Sequence, residues 1–284
     1  MKPFEYFAPR TLEETCALLT QFRGDAKILA GGTDVLVEMR KPGSQPSHTL
    51  VDISRIASLS GIEESGDSII IKPLTTHTAV LRSDIVMQCA PLLKQAVAGI
   101  GSPQIRNRGT IGGNIMNAAA CADTVPPLVA LDAQIKLQSS KGERVLSLAE
   151  FFVKPYDTLA HRDEVLVEIR FPRLPQGAKS SFIKLGRRNA LAISRLSVAA
   201  IIRSDEAGVL RDVRIVPGAA FPRWQRVPDA EKLLVGKRPS KELFAAAGEK
   251  VAEVMIAYTG RRWSTEYKEP VIAVLVRRAL EACR

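Results

Sequence analysis

This sequence predicts an α+β chain in two parts, and three observations carry the prediction. Short apolar runs and helical patterns alternate without the regular strand–helix–strand periods of a doubly wound sheet. The 284 residues are close to twice the roughly 150 of a common domain, enough for two cores. One Pro/Gly-rich stretch, Phe171-Pro172-Arg173-Leu174-Pro175-Gln176-Gly177, interrupts the pattern and marks the junction, so the parts run 1–175 and 176–284.

Element by element, Thr11 offers a hydroxyl at a helix N-cap and Glu14 a carboxylate three residues later, with Leu12, Thr15, Leu18 and Leu19 following at helical spacing. Residues 27–30 read as a buried strand that breaks at Gly31-Gly32, and 35–40 as a short segment of either type. Strands follow at 49–53, 68–72, 134–138 and 164–171, with helices near 90–98, 124–131 and 148–152. Beyond the junction come strands at 180–185, 193–203 and 209–216, a turn at Pro217-Gly218, and two closing helices. Leu243, Ala246, Ala247, Val251, Val254 and Met255 share one face of the first, and Val271, Val274, Leu275 and Arg278 one face of the second.

Composition excludes several classes. Cys16, Cys89, Cys121 and Cys283 are far apart and make no Cys-x-x-Cys or Cys/His pattern, which argues against a disulfide framework, a zinc ribbon or iron–sulfur ligation and fits a reducing, cytoplasmic setting. No apolar run approaches the roughly 18 residues that span a bilayer, and Lys2-Pro3-Phe4-Glu5 opens no secretory signal. The net charge of +10 is scattered in short pairs such as Arg106/Arg108 and Arg187/Arg188. With 5% aromatics there is no base-stacking platform, so nucleic acid is not the expected partner.

The informative residues are two glycine-centred turns about 80 positions apart, Leu29-Ala30-Gly31-Gly32-Thr33-Asp34-Val35-Leu36 and Gly109-Thr110-Ile111-Gly112-Gly113-Asn114. Adjacent glycines permit positive φ and remove side chains, so consecutive backbone N–H groups can converge on an anion such as a pyrophosphate. Thr33 and Thr110 add hydroxyls, and Asn114 an amide. There is no Gly-x-x-x-x-Gly-Lys-Ser/Thr, and Gly99-x-Gly101 lacks the third glycine of a Rossmann fingerprint. Nor is there a His-Glu-x-x-His or a Gly-x-Ser-x-Gly. His48, His77 and His161 are each read as surface or hydrogen-bonded structural residues.

Ala30-Gly31-Gly32-Thr33-Asp34, Gly101-Ser102-Pro103-Gln104-Ile105-Arg106-Asn107, Thr110-Ile111-Gly112-Gly113-Asn114 and Ala122-Asp123 occur in that order. On these four motifs the whole chain resembles the FAD-binding medium subunit of molybdenum hydroxylases, the family of the flavin subunits of bacterial xanthine dehydrogenase, nicotinate dehydrogenase and aerobic carbon monoxide dehydrogenase. The resemblance implies a two-subdomain FAD-binding domain of the vanillyl-oxidase (PCMH) type, followed by a domain with a small antiparallel sheet and helices. It implies that Leu29 to Leu36 and Thr110 to Asn114 hold the pyrophosphate, and that Asp123 contacts the cofactor, although as a residue it could as well cap the helix near Thr124. Leu166 would pack near the flavin and Lys184 would place a cation close to its ring. Ile100 stands where animal xanthine oxidases have an aromatic residue, and Ala192-Ile193 where some relatives place a tyrosine.

By the same resemblance, substrate is hydroxylated at a molybdenum cofactor on a large partner subunit. Electrons then cross two [2Fe–2S] clusters on a small one, and FAD on this chain delivers them to NAD⁺ or another acceptor in a dimer of heterotrimers. No catalytic acid, base, nucleophile or metal ligand is expected here, and the motifs lean towards the purine and nicotinate branches. The alternative is a self-contained flavin oxidase or dehydrogenase.

Overall fold

The computed structural model describes residues 4–22, 24–42, 48–188 and 190–283; the Lys2-Pro3 of the signal reading lies outside them. The chain opens with β1 (Glu5–Phe7), α1 (Leu12–Phe22), β2 (Ala26–Leu29), α2 (Val35–Arg40) and β3 (Thr49–Asp52), whose strands form a parallel sheet in the order β1-β3-β2. Thr11 caps α1 as expected, its Oγ1 accepting from Glu14 N–H at 3.1 Å, while the Glu14 carboxylate accepts from Arg10 N–H at 2.8 Å. Cys16 and Leu19 of this helix are buried with Val51 and Ile53 beside the sheet.

A longer stretch follows: β4 (Ile62–Ser65), β5 (Ser68–Ile71), then six helices, α3 (His77–Arg82), α4 (Asp84–Cys89), α5 (Pro91–Ala98), α6 (Pro103–Arg108), α7 (Ile111–Asn117) and α8 (Val125–Ala130). After them come β6 (Gln134–Ser139), β7 (Gly142–Ser147), α9 (Leu148–Phe151), β8 (Phe152–Lys154), β9 (Asp157–Thr158) and β10 (Val165–Pro172). Strands β4-β5-β10-β6-β7 make one antiparallel sheet.

β10 stitches the two N-terminal layers together. A register shift against β6 between Leu166 and Glu168 inserts a bulge that resets which residues share a face. Val165 and Val167 therefore pack into the core under the parallel sheet, whereas Leu166, Ile169 and Phe171 pack into the larger core beneath the helices. Burial on both faces explains why residues 165–169 are buried without a polar alternation.

Past the Pro/Gly-rich segment, β11 (Lys179–Leu185), β12 (Leu196–Ser204) and β13 (Leu210–Gly218) form a three-stranded antiparallel sheet, followed by α10 (Pro228–Leu234), α11 (Lys241–Thr259) and α12 (Thr265–Glu281). One face of the sheet, with Val198, Ala200 and Ile215, packs on these helices; the other, with Ala199, Ile201 and Val216, packs into the N-terminal core. Two expectations change here. β13 continues through Pro217 and Gly218, which pair with Val198 and Ser197, and a Cβ at Gly218 would crowd the Ser197 and Pro126 side chains at 2.2 and 2.8 Å. β12 begins at Leu196, leaving Ile193 75% exposed.

Candidate functional site

Both glycine segments line one cleft. The first contributes Ala30 to Val35 and the second Gly109, Thr110, Gly112, Gly113 and Asn114, with Pro73, His77 and Leu166 beside them. What brings them together is the absence of side chains: a Cβ on Gly31 would stand 1.9 Å from the Arg108 carbonyl oxygen, so the two backbones touch only because residue 31 is glycine. Gly32 adopts φ +76° and turns the chain into α2.

The two segments are chemically unlike. Across the first, no hydrogen bond among the described residues takes the N–H of Gly31, Gly32, Thr33, Asp34 or Val35, so five consecutive donors have no partner there. Across the second the N–H groups of Ile111 to Asn114 are already used. Ile111 donates to Thr75 O (3.0 Å), Gly112 to Pro73 O (2.9 Å), Gly113 to Thr110 Oγ1 (3.0 Å) and Asn114 to Thr110 O (3.0 Å). The expectation of two matching anion-binding turns is thereby corrected: the second segment is the capped start of α7, and Thr110 is its N-cap. What it can offer a ligand is the Thr110 hydroxyl proton and the Asn114 side-chain N–H₂, since Asn114 Oδ1 accepts from Thr124 Oγ1 at 2.7 Å.

Of the other expected residues, Leu166 borders the cleft, whereas Leu29, Leu36, Ile100, Ile111, Asp123 and Lys184 do not line it. Leu29 and Leu36 side chains flank Gly32, Ile111 is fully buried in the core, and the Ile100 carbonyl accepts from Arg106 at 2.9 Å. Asp123 and Lys184 form a buried ion pair of 2.7 Å. Lys184 also donates to Gly99 O (2.9 Å), and Ser194 Oγ donates to the other Asp123 oxygen (2.5 Å). Asp123 does not cap α8; Thr124 occupies that position. Burial raises the Asp123 carboxyl above its ordinary value, against the pull of Lys184 and of the Lys184 and Ser194 hydrogen bonds.

Ser194 also lines a second cleft of about 710 Å³, bordered by Cys121, Tyr156, Leu191, Ile193 and four cations, Arg187, Arg188, Arg195 and Lys268, with no carboxylate. Burial, Arg195 and Arg262 lower the Lys268 ammonium from its usual range. Tyr156 is the aromatic residue here, at a position motif reading did not single out. On the far wall of the first cleft, Glu164 is held by Arg144 (2.5 and 2.7 Å) and by His161 N–H (2.6 Å). Burial alone would raise its carboxyl, but these partners outweigh it and hold it below the usual range. Sequence reasoning passed over this cluster because its members are 20 residues apart with no motif between them.

His77 overturns its expectation. It is 3% exposed, it lines the first cleft, and its ring has no hydrogen-bond partner among the described residues. No helix of the described residues is long and apolar enough to cross a membrane, and among them no group of three or more His, Cys, Asp or Glu is placed to hold a metal.

Comparison with known proteins places this geometry. Residues 2–174 match the family described as the FAD binding domain in molybdopterin dehydrogenase, and residues 181–283 the CO dehydrogenase flavoprotein C-terminal domain. The carbon monoxide dehydrogenase medium chain of Hydrogenophaga pseudoflava is 34% identical, over 98% of this chain and 96% of that one. The xanthine dehydrogenase FAD-binding subunit of Escherichia coli O157:H7 is 32% identical, over 97% and 94%. These values are too close to support the expected lean towards the purine and nicotinate branches over carbon monoxide dehydrogenase. The solved structure of carbon monoxide dehydrogenase from Hydrogenophaga pseudoflava superposes with a TM-score of 0.92, over 99% of this chain and 97% of that one at 34% identity. The chain belongs to the family of FAD-binding medium subunits of molybdenum hydroxylases, and it is an oxidoreductase subunit.

Proposed function

We propose that this chain binds FAD across the first cleft and passes electrons from two [2Fe–2S] clusters on a small partner subunit to NAD⁺ or another acceptor. The substrate is oxidised at a molybdenum cofactor on a large partner subunit, in a dimer of heterotrimers located in the cytoplasm. The observation that carries the proposal is the row of five unpaired backbone donors at Gly31–Val35 facing the Thr110–Asn114 segment across one cleft. A glycine-lined row of N–H groups suits a pyrophosphate, which no lysine in the first cleft wall needs to neutralise alone.

FAD, when bound, supplies the ability to accept electrons singly and release them as a pair. The chain's own residues do the rest. The Leu29–Leu36 and Thr110–Asn114 segments bind and orient the dinucleotide, with Leu166 as an apolar wall. Lys184, fixed by Asp123 and Gly99, holds a positive charge beside the site, and Asp123 keeps its ammonium in place. The cationic rim of the second cleft, Arg187, Arg188, Arg195 and Lys268, draws in a negatively charged acceptor such as NAD⁺ with its pyrophosphate. We further assign 1–175 to the FAD-binding domain and 176–284 to the domain that completes the site. The family matches on either side of residues 175–180 support this division.

The test is the visible spectrum of the purified full chain, the identity of the released cofactor, and the subunits that co-purify. A yellow protein releasing FAD and travelling with a molybdenum and an iron–sulfur subunit is expected. A colourless chain that takes up no FAD overturns the proposal, and a chain that oxidises substrate on its own with oxygen points to the self-contained oxidase.

A further inference from the structure

We propose that His77 is a cofactor-binding residue, its imidazole hydrogen-bonding the sugar–phosphate part of the dinucleotide in the first cleft. The inference rests on the FAD reading above and adds a side chain to it that no motif marks.

Three observations carry it. The first is an imidazole in the cleft wall, nine-tenths and more buried, with no hydrogen bond from either ring nitrogen to the described residues. A buried polar group left unsatisfied is expensive, and native proteins rarely keep one without a reason. Nδ1 is sealed from solvent, so the nitrogen that would meet the ligand is Nε2, which lies 3.5 Å from where a Cβ on the cleft-lining Gly109 would stand. The second is location. His77 N–H donates to Gly109 O at 3.0 Å, and Thr76 bridges Thr110, so the ring is fixed at the junction of the two segments that meet through Gly31. The other two unpaired buried side-chain atoms among the described residues, Ser180 Oγ and Arg203 Nε, are on the β11–β12 sheet and line neither cleft. The third is protonation. Burial and then the nearby Arg106 hold the His77 pKa down to about 4, so the ring is neutral at ordinary pH and carries one N–H donor and one acceptor. Such a ring suits a phosphate oxygen or a sugar hydroxyl without adding a buried charge.

The experiment uses the full chain stripped of cofactor and titrated with FAD, comparing wild type with His77→Leu, which keeps bulk, and His77→Gln, which keeps hydrogen bonding. Folding of each is checked by circular dichroism. His77→Leu is expected to weaken FAD binding about tenfold or more, and His77→Gln by less than about threefold. In wild-type protein labelled with ¹⁵N-histidine, the His77 ring signals, identified by their loss in the Gln variant, should shift when FAD is added. Wild-type affinity in a folded His77→Leu overturns the proposal, as do ring signals that FAD leaves unmoved. The NMR result decides even if the leucine variant fails to fold. Wild-type protein that takes up no FAD overturns the FAD reading itself and this proposal with it, a result distinct from an affinity difference between variants.

Discussion

At Gly31 a single missing methyl group sets the width of the cleft. Its absent Cβ would sit 1.9 Å from the Arg108 carbonyl oxygen and 2.7 Å from the carbonyl carbon, both backbone atoms that cannot swing aside. Gly31→Ala must therefore push the first segment away from the second. It is expected to destabilise the chain by about 2 kcal/mol and to weaken FAD binding, read by urea unfolding of the apo form and by FAD titration. The need for glycine here was legible in the sequence; its reason was not. Adjacent glycines suggest N–H groups left free for an anion, and at Gly31 and Gly32 the N–H groups have no partner among the described residues. At Gly112 and Gly113 the N–H groups are used internally, and Gly112 is glycine because Pro73 packs against it, with its Cβ 2.4 Å from the position a side chain would take. His77 was illegible for a different reason: burial and missing partners are properties of the fold, and no local pattern encodes them.

Among the elements, those with long apolar patterns were found from sequence and the short ones were not. β1 has three residues and β4 is an edge strand whose Glu63 and Glu64 are exposed, so neither carries a hydrophobic signature. α7 is hidden by its glycines and α6 by a short, mostly polar sequence with no buried side chain, although both announce themselves by caps. Ser102 Oγ accepts from Ile105 N–H with Pro103 at the first helical position, and Thr110 Oγ1 accepts from Gly113 N–H. The cap on α7 yields a prediction at this scale. Thr110→Val keeps the shape and removes the hydroxyl, orphaning Gly113 N–H, and should cost about 1 kcal/mol of stability in chemical denaturation. It also removes one of the two side-chain groups α7 offers a ligand, so FAD affinity should fall in the same variant. The bulge in β10 lay equally beyond reading from sequence: Val165-Leu166-Val167 is one apolar run, and only pairing with β6 sorts its members between two cores.

On the scale of the whole molecule, the two-part organisation was legible, but not the extent to which the parts share a core. Phe182, Ala199, Ile201, Val216 and Trp224 from the second part are buried with the N-terminal helices, and Phe152 meets Trp224 edge-on at 4.5 Å. Ion pairs reinforce the seam: Arg214 reaches Asp132 at 2.8 Å and the Ala130 carbonyl at 3.0 Å, while Lys184 spans from β11 to Asp123 and Gly99. The sheet of the second part is thus a wall of the N-terminal core.

The unequal hydrogen bonding of the two segments has a consequence in time as well as in space. Amide hydrogens exchange with solvent when they are unpaired, and slowly when they are held in structure. In the cofactor-free chain the amides of Gly31 to Val35 should exchange within seconds, while those of Ile111 to Asn114 should already be protected. Adding FAD should slow the first set and leave the second nearly unchanged, which mass spectrometry after a deuterium pulse can read. Equal protection of both sets before FAD is added would contradict the hydrogen bonding described. Loading of this subunit would then be recorded almost entirely by one five-residue stretch, a built-in reporter of how much of a preparation carries its cofactor.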